Sequence, residues 1–415
     1  SLVIMVRTRL TTGGLAEPVV ADTAKSLSKM GHRVILLAWD RTAKGEETVT
    51  TDWGTIWKYQ EKCSLNNPLN FARKLPGFLR WSTWQILAFQ RIEKDIILHY
   101  HDLDALIGGV FTSKLGEMPL VYDCHENYPG LVKGAISKGG ATILHKLEAY
   151  LLNYCSGIMA AGPAGYVRLS DMLKFGAKAP FNANEEEAFK VLSKPQSDFL
   201  NSRVTRVGNA KRLEAYPINR IEKKNDNGKF RLLYIGVLEK HPSRGILETA
   251  ITINKMKGIQ FDIGGFGTLV PTLKKVCDKM TNVNYIGSIH PDNVPLQTIE
   301  SDAVLMALDP KNDNNRMSAP NKLFEAMSAG VPIITCKELL MGQFVDNEEI
   351  GLTFEWGKWD RLKASLMKLI YDKELRQRLG NRGRKLAEKT HNWEKCEERI
   401  ESLYRYVKNK STLQA

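Results

Sequence analysis

The chain has 415 residues, of which 43% are hydrophobic and 25% are charged, with a formal net charge of +13. This composition excludes a disordered chain, and the length predicts two domains of roughly 150 to 200 residues each. The positive charge favours an anionic partner. A nucleic acid, a phosphorylated substrate and an acidic membrane face all fit this description. The sequence contains no apolar run of the roughly 18 residues that span a bilayer, and we expect a cytoplasmic protein.

Short apolar runs alternate with helical stretches along both halves of the chain. The runs begin near Leu2, Arg33, Asp95, Pro119 and Gly157 in the first half, and near Phe230, Ile259, Val283, Asp302, Val331 and Ile350 in the second. This alternation predicts two doubly wound parallel sheets of the α/β class. A polar stretch separates them, and we predict domains of residues 1–182 and 183–396, followed by a terminal helix. The six cysteines are scattered without a CxxC pair, which indicates inert thiols.

Ligands bind at the carboxyl ends of parallel strands, so the loops there hold the candidate site residues. Gly13 and Gly14 follow the first strand and precede a helix, where bare amides could approach a phosphate or sugar, although a tight turn without a ligand is the alternative. The next two strands end in His101 with Asp102 and in His125 with Glu126. These side chains could bind sugar hydroxyls or move protons on the acceptor side. The Asp102-Leu103-Asp104 triplet looks like a metal-binding DxD motif, but helix capping explains it better.

In the second half, a loop after the strand at Phe230 delivers Lys240 and Arg244 ahead of a helix. These cations suit a diphosphate, and a solvated basic loop is the alternative. The strongest feature is the segment SAPNKLFEAMSAGVP, residues 318–332. We predict a helix with Pro320 at its first position, Ser318 or Ala319 as its cap and Gly330 at its end. Glu325 lies about one turn into this helix, where a carboxylate can accept both hydroxyls of a ribose.

The string NKLFEAMSAGVPII resembles the donor-site signature of the retaining glycosyltransferase family 4, which has the GT-B fold. The TTGG loop, HYHDLDAL, VYDCHENYP, GVLEKHPSRG and the terminal THNWEKCEERIESLYRY extend the resemblance over nearly the whole chain. The resemblance implies two facing Rossmann-like domains, with the helix of residues 397–415 crossing back to the amino-terminal acceptor domain. It implies that Glu325 binds the donor ribose, that Arg244 binds the diphosphate, and that His125 lies beside the transferred sugar. The implied donor-binding residues are Gly13, Gly14, Arg244, Ser318, Ala319, Pro320, Asn321, Lys322 and Glu325.

The resemblance also implies a reaction with retention of the anomeric configuration and without a metal or other cofactor. Two positions depart from the family pattern. Met317 stands where the family usually has a glutamate that touches the donor sugar, and Ser318 or Asn315 would have to replace it. Val237 stands where an arginine commonly follows the strand glycine, which leaves more of the phosphate binding to Arg244 and Lys322.

The segment of residues 66–94 combines five basic residues with Phe71, Phe78, Trp81, Trp84 and Phe89. Basic and aromatic residues on one amphipathic segment suit an anionic membrane surface, and an ordinary packed helix is the alternative. We therefore expect a hexosyltransferase that acts on a glycan or lipid-linked acceptor, peripheral on the cytoplasmic membrane face, with a UDP-sugar favoured over GDP-mannose as donor. The competing hypotheses are a nucleotide-sugar epimerase of the same fold and a catalytically inactive scaffold. A nucleic-acid partner is not expected, because no recognised binding motif is present.

Overall fold

The computed structural model describes residues 1–10, 15–43, 45–63, 68–132, 138–192, 194, 200–217, 228–240, 244–254 and 256–414. The chain forms two compact units, one of residues Ser1–Gly208 with Cys396–Ala415 and one of Asn209–Lys395. The first unit therefore ends after Gly208, and the boundary predicted after residue 182 is wrong. The helix Glu185–Leu192 and the strand Val204–Arg206 lie beyond the predicted boundary, and the strand pairs with Gly157–Ala160 of the first sheet.

The first unit contains an eight-stranded sheet in the order β3-β4-β2-β1-β5-β6-β7-β8. Its strands are β1 (Leu2–Arg7), β2 (Arg33–Asp40), β3 (Thr48–Thr50), β4 (Thr55–Gln60), β5 (Ile96–His101), β6 (Leu120–Cys124), β7 (Gly157–Ala160) and β8 (Val204–Arg206). Its helices are α1 (Pro18–Lys29), α2 (Pro68–Gln90), α3 (Asp102–Gly116), α4 (Tyr128–Val132), α5 (Lys138–Leu151), α6 (Pro163–Phe175) and α7 (Glu185–Leu192). All pairs are parallel except β3 with β4. Every residue of β1 and β5 is buried, because helices cover both faces of such a sheet.

The second unit contains a six-stranded sheet in the order β11-β10-β9-β12-β13-β14, and all its pairs are parallel. Its strands are β9 (Phe230–Val237), β10 (Ile259–Phe266), β11 (Val283–Gly287), β12 (Ala303–Met306), β13 (Ile333–Cys336) and β14 (Gly351–Phe354). Its helices are α8 (Ile246–Ile253), α9 (Val270–Cys277), α10 (Val294–Ile299), α11 (Asp313–Met317), α12 (Asn321–Ala329), α13 (Leu340–Glu348), α14 (Trp359–Tyr371) and α15 (Lys373–Lys389). The strand order reverses between β9 and β12, as it does between β1 and β5 in the first sheet. Ligands of open α/β sheets bind at such reversal points.

The last helix, α16 (Trp393–Gln414), returns the chain to the first unit. Its Tyr404 hydroxyl lies 2.7 Å from Nδ1 of His99 on β5. Ser26 of α1 donates a hydrogen bond of 2.9 Å to Glu397 at the start of this helix. These contacts confirm the prediction that the carboxyl-terminal helix belongs to the amino-terminal domain.

The aromatic residues of α2 do not form the exposed stripe that the sequence predicts. Phe78 is completely buried, and its ring stacks on Trp39 with the ring centroids 5.8 Å apart. Phe71, Trp81 and Phe89 pack against the same core cluster. Trp84 alone of the predicted aromatic set is exposed, with 65% of its surface accessible. The ordinary packed-helix alternative therefore explains most of this segment, because α2 closes the core over β2 and β4.

Among the helices that the structure describes, none combines the length and the hydrophobicity that crossing a bilayer requires. The six cysteines are all free thiols, and five of them are buried. Burial raises the pKa of Cys155 and of Cys336 to about 12, so these thiols stay protonated and unreactive near neutral pH.

Candidate active site

The helix α12 presents its amino terminus at the carboxyl end of the second sheet. Pro320 is the residue that caps it, with φ −65° and ψ 145°, and the helix begins at Asn321. The prediction placed Pro320 at the first helical position, with Ser318 or Ala319 as the cap. It is therefore wrong by one residue. The Ser318 hydroxyl instead donates a 3.0 Å hydrogen bond to the Asn315 carbonyl. No side chain caps α12, so the amides of its first turn stay available for an anion.

Glu325 lies one turn into α12 and keeps 16% of its side chain exposed. Nζ of Lys211 forms an ion pair with Oε1 of Glu325 at 3.4 Å and donates a hydrogen bond of 2.6 Å to Asn321 Oδ1. Asn209 donates from its side-chain amide to the Ala319 carbonyl at 2.8 Å. Asn209 and Lys211 were not predicted as site residues, because the polar stretch that contains them resembles a domain connection. Their position directly after the last strand of the first sheet was the available signal.

Lys322 places its ammonium group over the carboxyl end of β9. Its Nζ lies 4.4 Å from the centre of the Tyr234 ring. A Cβ atom built on Gly236, whose φ is +156°, would lie 2.6 Å from the same Nζ. Glycine at this position therefore leaves the space that the cation occupies, and the site gains a positive charge beside the uncapped helix end.

Arg244 lies between β9 and α8, and its Nε is buried without a hydrogen-bond partner among the described residues. The adjacent Gly245 has φ +64°, and a Cβ there would lie 2.9 Å from the Cβ of Ala307 just after β12. Gly245 thus lies against the end of β12, and the guanidinium of the adjacent Arg244, with its unused Nε donor, can bind a phosphate there. Val237, which stands where the family commonly has an arginine, is exposed. Lys240 is exposed as well.

In the segment before α12, polar groups form hydrogen bonds with one another. Both the amide and the hydroxyl of Ser318 donate to the Asn315 carbonyl, at 3.4 and 3.0 Å. Asn315 donates its side-chain amide to the Asp309 carbonyl at 3.1 Å. The Ser318 donors are therefore used within the loop, whereas the second N–H of the Asn315 amide is left for the place of the glutamate that Met317 replaces.

In the first unit, Asp102 begins α3 with a left-handed φ of +62°. Its Oδ1 accepts a 2.9 Å hydrogen bond from the His125 amide, and its Oδ2 accepts one from Arg7 Nη1. The residue that caps α3 is His101, so the helix-capping role predicted for Asp102 is wrong. Arg7, which is 2% exposed, also donates to Glu17 Oε2 at 2.6 Å. Arg7 and Glu17 were missed, although a lone arginine ending an apolar strand was a usable signal.

The two carboxylates of the DxD triplet bind protein groups. Thr8 donates its hydroxyl to Asp104 Oδ2 at 2.6 Å. Burial and the neighbouring Asp102 charge raise the pKa of Asp104. Burial acts in the same direction on Asp102, but the Arg7 guanidinium outweighs it and lowers the pKa of that carboxyl. Of the two carboxylates of the triplet, Asp102 is therefore the one that Arg7 holds in its ionised form.

Three imidazoles surround the carboxylate of Asp123 at the end of β6. Its Oδ2 lies 3.3 Å from His99 Nε2, 3.1 Å from His101 Nδ1 and 3.2 Å from His125 Nε2. Burial lowers the pKa of His101 to about 3, so this ring is neutral. Burial also opposes the protonation of His125, but the Asp123 carboxylate outweighs it and raises the pKa of His125. Asp123 thus favours the protonated form of His125, and it was absent from the predicted site residues.

Only one of these rings reaches solvent. The His125 side chain is 10% exposed, whereas those of His99 and His101 are completely buried. The structure therefore brings the predicted residues His101, Asp102 and His125 together, but it gives His101 and Asp102 supporting positions behind His125. Glu126 follows on the loop and accepts the Tyr128 amide with its carbonyl at 2.9 Å. The predicted Gly13 and Gly14 lie outside the described residues.

His99, His101 and Asp123 also bring three potential metal-ligand atoms within 4.8 Å of one another. All three residues are buried, and His99 additionally pairs with the Tyr404 hydroxyl. The expectation of a metal-independent site stays a prediction.

Comparisons with known proteins find two family models that match the chain. The model described as "Glycosyltransferase Family 4" matches residues 12–174, and the model described as "Glycosyl transferases group 1" matches residues 216–386. A search of curated proteins finds no match. Among solved structures, sucrose-phosphate synthase from Thermosynechococcus elongatus is similar at 14% identity and a TM-score of 0.68, covering 99% of both chains.

Two further structures of the same fold contain nucleotides. Anabaena Alr3699/HepE in complex with UDP-glucose matches at 15% identity and a TM-score of 0.62, covering 99% of each chain. The catalytic domain of starch synthase IV from Arabidopsis thaliana, bound to ADP and acarbose, matches at 12% identity and a TM-score of 0.63, covering 98% of this chain and 99% of that one. Together with the two family models, the two parallel sheets and the returning helix, these likenesses establish that the chain belongs to glycosyltransferase family 4 and has the GT-B fold.

Proposed function

We propose that this protein transfers a hexosyl unit from a nucleotide-diphosphate sugar, with a UDP-sugar as the favoured donor, to a glycan or lipid-linked acceptor at a membrane face. The observation that carries the proposal is the uncapped end of α12 with Glu325 one turn behind it. The free amides suit a diphosphate, and the carboxylate suits the two ribose hydroxyls. A UDP-sugar is favoured because the similar HepE structure holds UDP-glucose.

The cations of the second unit supply the electrostatic part of the reaction. Negative charge develops on the diphosphate as its bond to the sugar breaks, and Arg244 and Lys322 stabilise that charge together with the helix amides. Stabilisation of a leaving diphosphate by fixed cations needs no divalent metal. We infer a metal-independent transfer from this set of residues.

In the first unit, His125 acts on the transferred sugar or the acceptor. Because Asp123 favours its protonated form, His125 donates a hydrogen bond and does not serve as a general base. The acceptor proton then passes to the leaving diphosphate, and attack from the same face gives retention of configuration. Asp102 and Arg7 hold the backbone of His125 in place through the hydrogen bond to its amide.

A thermal-shift comparison of UDP-glucose, GDP-mannose and ADP-glucose tests the donor assignment, because a ligand of the folded state raises its melting temperature according to affinity. We expect the largest rise with a UDP-sugar. If none of the three stabilised the protein, the donor site would be refuted. Incubation with the donor alone, followed by product analysis, separates a transferase from an epimerase, which changes the sugar without an acceptor. A protein that binds UDP-sugar but never cleaves it, with or without acceptor, would be an inactive scaffold.

A further inference from the structure

Three helices of the first unit, α2, α3 and α5, lie side by side and leave apolar residues uncovered. The hydroxyls of Thr83 on α2 and Thr112 on α3 are 2.8 Å apart, which joins the first two helices. The third is joined to α3 where Lys114 Nζ lies 3.6 Å from the centre of the Tyr154 ring, just after α5. We call the exposed residues of α2, α3 and α5 the three-helix face.

On α3 the uncovered residues recur at helical spacing. Ile107, Phe111 and Leu115 are separated by four residues each and are 41%, 62% and 57% exposed. Residues four apart lie on one face of a helix, so these side chains form a continuous apolar stripe. Large exposed apolar stripes are uncommon on proteins that act alone in water and mark surfaces that meet a partner.

The neighbouring helices extend this stripe on both sides. Trp84 of α2 is 65% exposed, and Ile143 and Tyr150 of α5 are 66% and 57% exposed. Tyr150 is also hydrogen-bonded through its hydroxyl to Tyr154, at 2.7 Å, so this pair presents rings with polar tips. Tyrosine and tryptophan combine an apolar ring with a polar O–H or N–H group, and they are enriched at the boundary between lipid and water.

The charges of the three-helix face all have one sign. The sequence of α2 contains no Asp or Glu, and its exposed side includes Arg73 and Arg80. The exposed cations of α3 and α5 are Lys114 and Lys146. The acids of α3 and α5, Asp102, Asp104 and Glu148, are buried. Among the described residues within these helices, the exposed charged positions are therefore cations, and one exposed carboxylate, Glu117, follows at the end of α3.

We propose that the three-helix face docks this enzyme onto an anionic lipid surface. Lysine and arginine meet the headgroups, and the rings and aliphatic side chains enter the interface between them. A protein partner would need acids placed opposite each of these scattered cations, whereas an anionic lipid surface offers negative charge opposite all of them. The proposal corrects the sequence prediction, because the surface uses α3 and α5 and only Trp84 of the predicted aromatic set.

The position of the three-helix face suits the proposed transfer to a lipid-linked acceptor. The biological role of this face rests on that proposed function. Helices of a parallel sheet run from the carboxyl edge of the strands to the amino edge, so α3 begins next to His101 at the end of β5. The three-helix face thus starts at the edge that holds His125 and Asp123. Docking would bring this polar edge close to the headgroups, where a lipid-linked acceptor displays its sugar.

Co-sedimentation of the full chain with vesicles tests the proposal. We expect binding to vesicles of phosphatidylcholine with phosphatidylglycerol and little binding to phosphatidylcholine alone. The variant Trp84→Ser/Phe111→Ser/Leu115→Ser should bind at least roughly tenfold more weakly, since each buried apolar side chain contributes to interfacial binding. The control Ile251→Ser/Tyr371→Ser changes residues that are 66% and 76% exposed in the second unit, and it should bind like the wild type.

A second pair of variants tests the charges. Lys114→Gln/Lys146→Gln should weaken binding roughly thirtyfold, because each cation near an anionic surface contributes about fivefold. The control Lys363→Gln/Lys385→Gln removes the same charge from exposed positions of the second unit. Equal loss in both charge variants would show that only net charge matters and would overturn the proposal.

Two other outcomes would also overturn it. One is the absence of binding to anionic vesicles. The other is a wild-type dimer that the Trp84→Ser/Phe111→Ser/Leu115→Ser variant converts to a monomer in sedimentation velocity, which would assign the face to a second copy of the chain. The UDP-sugar thermal shift should be unchanged in all these variants. If vesicle binding holds but no nucleotide sugar stabilises the protein, the proposed function fails and the docking surface stands.

Discussion

The replacement Glu325→Gln tests the donor site most directly. A carboxylate that accepts two ribose hydroxyls makes two charge-assisted hydrogen bonds, each contributing about 1.5 to 3 kcal/mol. Glutamine keeps one acceptor oxygen and the side-chain shape, so we expect a net loss of about 2 to 3 kcal/mol, or roughly 30- to 150-fold in Kd for UDP. Lys211 loses its ion pair with Glu325 but keeps its 2.6 Å hydrogen bond to Asn321. We therefore expect a stability loss of at most about 1 kcal/mol from this partly exposed pair.

Titration calorimetry with UDP and with 2′-deoxy-UDP separates ribose recognition from a general disturbance of the site. The wild type should bind the deoxy nucleotide more weakly than UDP, and Glu325→Gln should bind both with similar, reduced affinity. Lys211→Met provides a control that removes the partner of Glu325 but not the carboxylate, so the preference for UDP over the deoxy analogue should persist. If Glu325→Gln kept the full wild-type preference for the ribose hydroxyl, the assignment of this carboxylate would be refuted.

The other expected outcomes concern phosphate binding, stability and metal. Arg244→Lys should reduce kcat by roughly 10- to 100-fold and leave the fold intact, because an ammonium cannot replace a bidentate guanidinium on the leaving diphosphate; unchanged steady-state kinetics would contradict this role. Gly236→Ala should weaken UDP binding by displacing the ammonium above it, whereas Gly258→Ala, at φ +75° with no atom within 4 Å, should affect stability alone in calorimetry and urea unfolding. Asp102→Asn should lower the free energy of unfolding by about 3 kcal/mol near pH 7, because it leaves Arg7 buried with one partner fewer. Since the folded pKa of this aspartate is lowered, the difference from wild type should shrink as pH falls below its unfolded value of about 3.9, and a constant difference in acid would refute the pairing. Transfer should continue in EDTA at an unchanged initial rate, and loss of activity that zinc or magnesium restores would show a metal requirement.

Most strands of the fold could be predicted from the sequence, because long apolar runs indicate buried strands. The strands near Leu2, Ile96 and Phe230 were predicted for this reason. The strands it missed are Thr48–Thr50, Thr55–Gln60 and Val204–Arg206. Two of these contain only three residues each, and the edge strand Thr48–Thr50 leaves its side chains largely accessible, so their apolar content is too small to signal burial.

The candidate site was predicted in part, for a different physical reason. A parallel sheet brings the ends of its strands together, which places His101, Asp102 and His125 at one edge from topology alone. The partner of each side chain is not a local property. Arg7 and Asp102 are separated by 95 positions in the sequence, and the orientation that joins them depends on a left-handed residue at the start of α3. The local sequence predicted a helix-capping role for Asp102. In the folded protein, Asp102 instead pairs with the distant Arg7.

The prediction that the aromatic residues of the segment 66–94 face a membrane was wrong for all but Trp84, through the same limitation. An amphipathic pattern shows that a helix has two faces, but it does not show which apolar residues the rest of the core needs. Phe78 and its neighbours fill the space around Trp39 and are unavailable to lipid. The exposed residues on α3 and α5 became visible only when the structure showed which positions no other element covers.

The return of α16 to the first unit has a consequence for the synthesis of this protein. Residues 209–395 are, in topological terms, an insertion within the chain of the first unit. Tyr404 is synthesised 305 residues after His99. The imidazole of His99 therefore gains this hydroxyl partner only near the end of translation. During translation the second unit can complete its own sheet while the first still lacks a helix. We therefore expect ribosome-bound chains that end before α16 to expose the α1 side of the first sheet to chaperones, and this domain, although made first, to be finished last.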